Sequence, residues 1–543
     1  MVQSINPMLE RITKIAIKDA SNGVYRVEFQ DFKFNLAGST LIINGFKLIP
    51  DSARYYHLLE QDSIGPDLFE LYVPELRVRR INLIEAFSGK SLKINEIILN
   101  SPVVEVLHHP RTERDSTESF DLNNLFEDKF KSLQVKEIRL KDLKLNYQVI
   151  KEDAPPPFIV NNINFRMFNL DIDSASYNDP NKLLYTDDFE FKVSDYTYKL
   201  ADSLYILKIK ELGLSQSKGK IYFDSLEMIP RYQEIKFSKI VGVQTNRIVL
   251  KTKRIELDHI DMGALLNFQN LIAGSMFIEN TKIDVFRDKR YPENLKRRPK
   301  MLHQILKNLD FYLKIDTIKL LKADIVYREH GEESTEVGHL AFNNFYASIY
   351  GLTNDSLLIK NDKIIADLQA QIYGSNLLKA KLTFDIGHPN GRYDFTGVLS
   401  SMDLRQFNNF LLPSAHINIE NGKLHEATFS VVANDDVAVG KMYFKYDDLK
   451  IKVLDKDGEN GLKQKITSFV ANTFVVKKSN PGGGSLREGN INYTRDKSKS
   501  KIHFLGRILL TGVASSVGIS EKAMTKSEAD SVEKRENKRS RKS

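Results

Sequence analysis

The stretch LQVKEIRLKDLKLNYQVI at residues 133–150 decides the fold of this chain. Apolar residues alternate with charged or amide residues in two runs, 138–140 and 143–147, and this is the period of a half-buried β-strand. Lys141 and Asp142 separate the runs and shift the phase by one residue, as a β-bulge or a tight turn does. The stretch therefore predicts strand structure with one apolar face.

A matching stretch, KIDTIKLLKADIVY, occupies residues 314–327. Ile138 and Tyr147 recur there as Ile318 and Tyr327, each 180 residues later. Further matches extend outward at a spacing of 180 or 179 residues: VEFQDFKFNLAGS (27–39) with LKIKELGLSQSKG (207–219), and ILNSPVVEV (98–106) with FIENTKIDV (277–285). A spacing this constant predicts a tandem duplication of one large, β-rich unit.

Composition narrows the class of protein. The 543 residues include no cysteine, which excludes a disulfide scaffold and a thiolate metal site. The net charge of +8 is local, because much of it lies in KRRPK (296–300) and in the tail 534–542. We interpret these runs as solvated surface charge and predict no nucleic-acid partner, since no recognised nucleic-acid-binding module accompanies them.

Helical patterns interrupt the strands at matching places in the two copies. INLIEAFSG (81–89) and DLNNLFEDKFKSL (121–133) correspond to IDMGALLNFQNLIAG (260–274) and PKMLHQILKNL (299–309). Asp121 is a predicted N-cap, and Gly89 and Gly274 are predicted helix stops. Residues 5–19 predict an amphipathic lead-in helix, and no apolar run near it is long enough for a signal peptide or a spanning helix.

The most apolar run of the chain is IHFLGRILLTGVASSVGI at residues 502–519. It contains Arg507 and is marginal in length for a membrane-spanning helix. We therefore predict an amphipathic or buried cap.

A sheet with one apolar face has to cover that face. Few short helices are predicted, so two arrangements remain open: β-sandwiches with dry cores, or a sheet curled lengthwise into an open groove that holds acyl chains. The side chains predicted to line such a groove are the apolar ones of the alternating strands: Val27, Phe29, Phe32, Phe34, Ile138, Leu140, Leu145, Tyr147, Leu257, Ile283, Val285, Ile318, Leu320, Ile325, Phe384, Phe395, Met442 and Phe444.

Several motifs resemble AsmA-like proteins of Gram-negative envelopes. SFDLNNLFEDKFKSLQVKEIRLKDLKLNY (119–147) is similar to that family's recurrent unit of a Leu-x-x-Leu helix followed by a bent strand pair. GKMYFKYDDL (440–449) is similar to its C-terminal hairpin. FVANTFVVKKSNP (469–481) and RILLTGVASSVGI (507–519) resemble the closing segment of the versions from Bacteroidetes-like bacteria.

The resemblance implies a mainly β fold with short helices: an elongated, curled antiparallel β-sheet, open as a β-groove and built from tandem repeat units. It implies a non-enzymatic protein of the periplasm that binds or conducts phospholipid or another lipid and contributes to outer-membrane biogenesis. Its expected partners are the inner membrane, through an anchor that this chain does not include, and outer-membrane proteins.

On this basis we predict five segments. They are an N-terminal amphipathic helix (1–23), a first β-groove unit (24–203), a second β-groove unit (204–356), a C-terminal AsmA-like unit with closing helices (357–520) and a disordered basic tail (521–543).

Residues that suggest an enzyme or a metal site have simpler explanations. His108 and His109 are adjacent, so in a strand their rings point to opposite faces. DKDGENG (455–461) lacks the spacing of an EF-hand loop and predicts a hairpin turn. The Asp doublets 187–188, 435–436 and 447–448 predict turns. We predict no catalytic residues, no metal and no cofactor. The alternative to a lipid conduit is an elongated envelope scaffold with closed β cores that binds protein or glycan partners.

Overall fold

The structure is a computed structural model of the whole chain. The residues that it describes are 7, 10–11, 13–15, 17–19, 21–82, 85, 91–110, 132–151, 154, 156–173, 183–200, 204–294, 296–454 and 476–519.

The chain is mainly β, with 57% of the described residues in strands and 17% in helices, so the predicted fold class of strands with few short helices is confirmed. The strands are β1 (Tyr25–Glu28), β2 (Asp31–Asn35), β3 (Thr40–Pro50), β4 (Asp67–Ile81), β5 (Leu92–Asn100), β6 (Val103–His108), β7 (Leu133–Val149), β8 (Phe158–Ile172), β9 (Asp188–Lys199), β10 (Tyr205–Ser215), β11 (Lys220–Pro230), β12 (Asn246–Ile260), β13 (Leu271–Asp288), β14 (Leu313–His330), β15 (Val337–Thr353), β16 (Ile364–Ile372), β17 (Asn376–Phe384), β18 (Tyr393–Leu399), β19 (Met402–Asp403), β20 (Ile417–Ala433), β21 (Val437–Val453) and β22 (Glu488–Thr494).

The helices are short and lie between strands or at the C-terminal end of the described residues. They are α1 (Ser52–Glu60), α2 (Glu234–Val241), α3 (Met262–Phe268), α4 (Leu302–Lys307), α5 (Leu358–Asn361), α6 (Asn408–Ala415) and α7 (Lys501–Ser516), with 3-10 turns at Leu183–Tyr185 and Leu404–Phe407. Side-chain caps start several of them: Asp51 accepts a hydrogen bond from the Arg54 amide, and Asp261 accepts one from the Ala264 amide.

The chain forms two compact units. The first consists of residues 1–197 and 209–224, and the second of residues 198–208 and 225–543. The five predicted segments are finer than this division and stay a prediction. Their last segment, 521–543, lies outside the described residues.

In the first unit, β3 pairs antiparallel with β1, β2 and β4. The long strand β4 pairs antiparallel with β5 and then with β6, and both of these pair parallel with β7. β8 and β9 follow β7 in antiparallel order.

The second unit repeats this order and then extends it. β12 pairs antiparallel with β13, β13 pairs parallel with β14, and β14, β15 and β16 are antiparallel neighbours. The antiparallel order continues through β17, β18, β20, β21 and β22. The sheet is thus mostly antiparallel, as predicted, with parallel pairing at one place in each copy. A parallel pair needs a long crossover connection, and residues 289–312, which include α4, provide one between β13 and β14.

The duplication is visible in the bulges of the strands. Asp142 in β7 and Lys322 in β14, 180 residues apart, both have positive φ, of 52° and 62°, where the register to the next strand shifts. A positive φ is uncommon outside glycine and marks a bulge here. Other pairs of positive-φ residues at matching places are Ser101 with Asn280 and Asn162 with Asn344. The predicted bulge at Lys141–Asp142 is confirmed.

One difference between the copies is explained by a proline. Residues 92–108 of the first copy form two strands, β5 and β6, whereas the matching residues of the second copy form the single strand β13. Pro102 lies between β5 and β6, and proline has no amide hydrogen to donate to a strand ladder. The second copy has Thr281 in the equivalent position, and its strand continues.

The largest buried core of the second unit lies on the strands that follow β15. α7 packs on β21 and β22 so closely that a Cβ on Gly489 would clash with the Ser516 hydroxyl and with the backbone of Gly512. Met301, from the connection after β13, belongs to the same core. The predicted buried cap at 502–519 is confirmed by these contacts. Among the described residues, no helix has both the length and the apolar character needed to cross a membrane.

The other helix predictions have mixed outcomes. α3 and α4 lie where the second copy predicts helices, but Gly274 is a residue of β13 and the prediction of a helix stop there is wrong. Helix α3 ends earlier because Gln269 takes the left-handed conformation, with a φ of 55°. Asp447 and Asp448 lie within β21 and not in a turn. The predictions for Gly89, for Asp121 with its helix, and for residues 455–461 lie outside the described residues.

Candidate functional site

Apolar residues of the second unit line up across neighbouring strands in continuous rows. The first row runs through Leu257, Met276, Ile318, Ile349 and Ala366, each the register partner of the next. A second row, two residues along the strands, runs through Ile255, Ile278, Leu320, Ala347 and Leu368. Beyond the bulge of β14, two more rows include Ile283 with Ile325 and Val285 with Tyr327. We call these rows the apolar face.

The first unit has the same rows at the matching positions. Its first row runs through Val78, Ile97, Ile138, Met167 and Phe189. Its second row runs through Leu76, Leu99, Leu140, Phe165 and Phe191. Every position is apolar in both copies, so the duplication repeats the apolar face as well as the strand order.

Part of the apolar face stays accessible although its strands have neighbours on both sides, whereas Val78, Phe189, Leu257, Ala347 and Ala366 in the same rows are buried. Ile138, Leu140, Ile318 and Leu320 are all half-buried. A side chain in the middle of a sheet can be reached by solvent only through its own face, because neighbouring strands block both flanks. Over these residues the apolar face is therefore incompletely covered by protein. Contiguous exposed apolar surface of this kind typically marks a binding site.

The opposite face of the first unit carries ion pairs within and between its strands. Arg79 Nη1 lies 2.9 Å from Glu96 Oε2, and Arg139 Nη2 lies 2.7 Å from Glu137 Oε2. Arg166 Nη2 also contacts Glu137, at 2.9 Å. Hydrogen bonds and charge from Arg139, together with Arg166 and against a smaller effect of burial, lower the pKa of Glu137 to about 2. Because these side chains are charged and paired, this face is suited to contact with water. The apolar face on the other side of the strands is suited to apolar ligands.

The predicted lining residues divide into two groups. Those that are half-buried are Phe29, Ile138, Leu140, Leu145, Tyr147, Ile283, Val285, Ile318, Leu320, Ile325 and Phe384. Those that other parts of the chain bury are Val27, Phe32, Phe34, Leu257, Phe395, Met442 and Phe444.

The second group does not line an open surface in this structure. For Met442 the cause is direct, since the Cε atom of its side chain lies against Gly512 of α7. Phe395 and Phe444 belong to the same closed core. Val27 and Phe32 pack in a small core with Ile17, from the N-terminal helical residues. The alternating pattern identified the apolar side of each strand but not the helices that cover it.

Next to the closed core, several side chains of an apolar row are small. An open concavity of about 630 Å³ lies where Ala347, Leu368, Ala380, Gly397 and Phe429 follow one another across β15 to β20, lined by these residues and their neighbours along the strands. A volume of this size suits part of a lipid-sized ligand. The sequence signal for it is a small residue, Ala347, Ala380 or Gly397, at the matching position of three of these strands.

The residues that suggested a metal site have separate partners. His108 Nδ1 lies 2.8 Å from Asp67 Oδ1, whereas His109 Nε2 lies 3.2 Å from the Tyr56 hydroxyl. Within the described ranges no group of three or more His, Asp or Glu side chains is placed to hold a metal ion.

A polar cluster that the sequence analysis missed lies under α4. His303 Nε2 is 3.2 Å from Asp435 Oδ2, and the Gln304 amide donates to the same oxygen at 2.9 Å. Burial lowers the pKa of His303 and raises that of Asp435. The cluster joins α4, in the connection after β13, to the loop between β20 and β21. Its role is therefore structural.

Comparisons with family models and with curated protein sequences found no match. No known family model matches the chain, and no curated protein matches it significantly in sequence.

Proposed function

We propose that this protein is a non-enzymatic lipid-binding protein whose apolar face holds the acyl chains of phospholipids and conducts them between membranes. The observation that carries the proposal is the repeated set of apolar rows, which stay half-accessible at Ile138 and Leu140 in β7 and at Ile318 and Leu320 in β14. Acyl chains need a continuous surface of low polarity and few specific contacts, which such rows supply. The resemblance to AsmA-like proteins supports the same function, and on that ground we propose that the protein acts in the periplasm, between the inner and outer membranes.

The proposal is tested by placing charge across the apolar face. In the double variant Ile318→Asp with Leu320→Lys, we expect lipid exchange between vesicles to fall to background while circular dichroism stays that of a folded β protein. A charge on the path must be desolvated as an acyl chain passes, whereas in the absence of lipid water still reaches it.

Two matched controls use the same strand. Ile318→Leu with Leu320→Ile keeps the face apolar and should leave exchange unchanged. Thr317→Asp with Leu321→Lys adds the same two charges to the opposite face of β14 and should also leave exchange unchanged. A folded Ile318→Asp, Leu320→Lys variant that exchanges lipid at the normal rate would contradict the proposal, as would native mass spectrometry of the purified protein that finds no phospholipid.

The second candidate function is the scaffold with closed β cores, and the closed core beneath α7 favours it for the C-terminal strands. In that case charge at Ile318 and Leu320 should unfold the unit, because burying two charges in a dry core costs more free energy than the ion pair between them returns. The same variant therefore distinguishes the two functions.

A further inference from the structure

Two basic segments of the second unit that are distant in sequence meet in space. Residues 287–300 contain seven Lys or Arg and two carboxylates, and residues 495–507 contain five Lys or Arg and one carboxylate. Their net charges of +5 and +4 together exceed the +8 of the whole chain. The remaining residues sum to a net charge of −1, a total that includes the basic tail 534–542, so the excess positive charge lies in these two segments and in that tail.

Direct contacts join the segments. Arg495 Nη2 donates to the Pro299 carbonyl at 2.9 Å, and Lys499 forms an ion pair with Glu293. A narrow cleft between the segments is lined by residues of both, among them Arg297, Glu293, Lys499 and Ser500. We call the joined segments the basic patch.

The acidic residues of the basic patch are already engaged. Asp288 is paired with Arg290 and Glu293 with Lys499. By contrast Lys296, Arg297 and Lys300 are exposed, and none has a carboxylate within ion-pair distance among the described residues. The surplus of positive charge thus faces solvent. The pKa of His503 agrees with this, because burial and then the positive charges of Lys499, Arg507 and Lys289 lower it to about 4.

An exposed apolar side chain accompanies these cations. Ile502, in the first turn of α7, is 77% exposed, whereas the aromatic residue Phe504 beside it is fully buried. Exposed lysines and arginines in the same joined segments as an accessible aliphatic side chain suit the interface of an anionic bilayer, where cations meet headgroups and apolar side chains enter the acyl boundary. A single-stranded nucleic-acid site would instead present accessible aromatic rings for stacking.

From this juxtaposition we propose that the basic patch docks the second unit on the surface of an anionic phospholipid membrane. The proposal concerns attachment and does not depend on lipid moving along the apolar face. It gives the solvated charge of KRRPK a function beyond solubility.

The test is flotation of the full chain with vesicles of phosphatidylcholine alone or mixed with phosphatidylglycerol. We expect binding only to the anionic vesicles, weakening steeply as salt screens the charges. In Arg297→Glu with Lys300→Glu, the affinity should fall at least about tenfold, since each cation near the surface contributes substantially to binding. Ile502→Ser should reduce it by a few-fold.

The matched control is Lys208→Glu with Lys210→Glu, which makes the same change of charge at exposed residues of β10, outside both segments. It should bind nearly as tightly as the original chain. Equal losses in both charge variants would overturn the proposal, because net charge and not the basic patch would then control binding. Tighter binding to a DNA or RNA oligonucleotide than to anionic vesicles would overturn it in favour of a nucleic-acid site.

The two proposals fail separately. Arg297→Glu with Lys300→Glu should still co-purify with phospholipid, and Ile318→Asp with Leu320→Lys should still float with anionic vesicles. A basic-patch variant that keeps full vesicle affinity would refute docking without bearing on the apolar face.

Discussion

Strands β14 and β21 have the same alternating sequence pattern but different surroundings. In β21 the side chains of Ala438, Met442, Phe444 and Tyr446 are buried, whereas Val439 and Tyr443 on the other face are exposed. In β14 the equivalent side chains, Ile318 and Leu320 among them, stay half-buried. Alternation thus identifies which side of a strand is apolar, while the element packed on that side decides whether it becomes core or binding surface.

The cover over β21 explains the difference. α7 and the connection carrying Met301 supply the second layer of the C-terminal core, and Gly489 allows α7 to approach closely. The apolar rows of β12 to β14 lack complete cover of this kind. Four substitutions, each with an expected change in the free energy of unfolding, test this contrast.

The largest effect is expected for Phe444→Asp. Phe444 is 5% exposed, so the new carboxylate would be buried without a partner, and we expect a loss of about 4 kcal/mol in the free energy of unfolding. Val439→Asp, on the opposite face of the same strand and 49% exposed, should cost less than about 1 kcal/mol. Denaturant unfolding of the full chain measures both, and equal losses would show that β21 has no buried side.

Next in size is Gly489→Ala, which adds a methyl group where α7 meets β22. Because the added Cβ would meet the backbone of Gly512, we expect a loss of about 2 kcal/mol as the helix is displaced. Gly484→Ala has open space around its added Cβ and should change stability by less than about 0.5 kcal/mol. A neutral Gly489→Ala variant would mean that α7 does not pack tightly on the sheet.

The single change Ile318→Asp tests the accessible strand of this comparison, β14. Ile318 is half-buried, so solvent reaches the new charge and we expect a loss of only about 1 to 2 kcal/mol. The melting temperature of Ile318→Asp should therefore be clearly higher than that of Phe444→Asp. If the two variants melt together, the apolar face of β14 is a closed core.

The smallest effect concerns the charged face of the first unit. The pKa of Glu137 is lowered to about 2, so its ion pairs stabilise the fold above the ordinary glutamate pKa and this contribution is lost as the pH falls toward 2. Glu137→Gln should cost about 1 kcal/mol at pH 7, allowing for solvent screening, and nothing near pH 2. Glu190→Gln, whose carboxylate lies 3.5 Å from Arg166, should cost less at pH 7. A pH-independent loss in Glu137→Gln would contradict the ion-pair explanation.

Local chemistry alone determined a large part of this protein. The alternation of 133–149 predicts a strand, the extra residue at Lys141–Asp142 predicts its bulge, and the 180-residue spacing predicts the second copy. These features depend on near neighbours along the chain, because the side-chain period of a strand is a property of the backbone. The same period identifies the apolar side of each strand.

Only the tertiary structure decided the rest, since it depends on contacts between residues far apart in sequence. The parallel pairing of β13 with β14, the burial of Met442 and Phe444 under α7, and the meeting of residues 287–300 with 495–507 each join segments that carry no local signal of one another. Coverage of an apolar face is a property of the layer packed on it, and the strand's own sequence is the same whether that layer is protein, lipid or water.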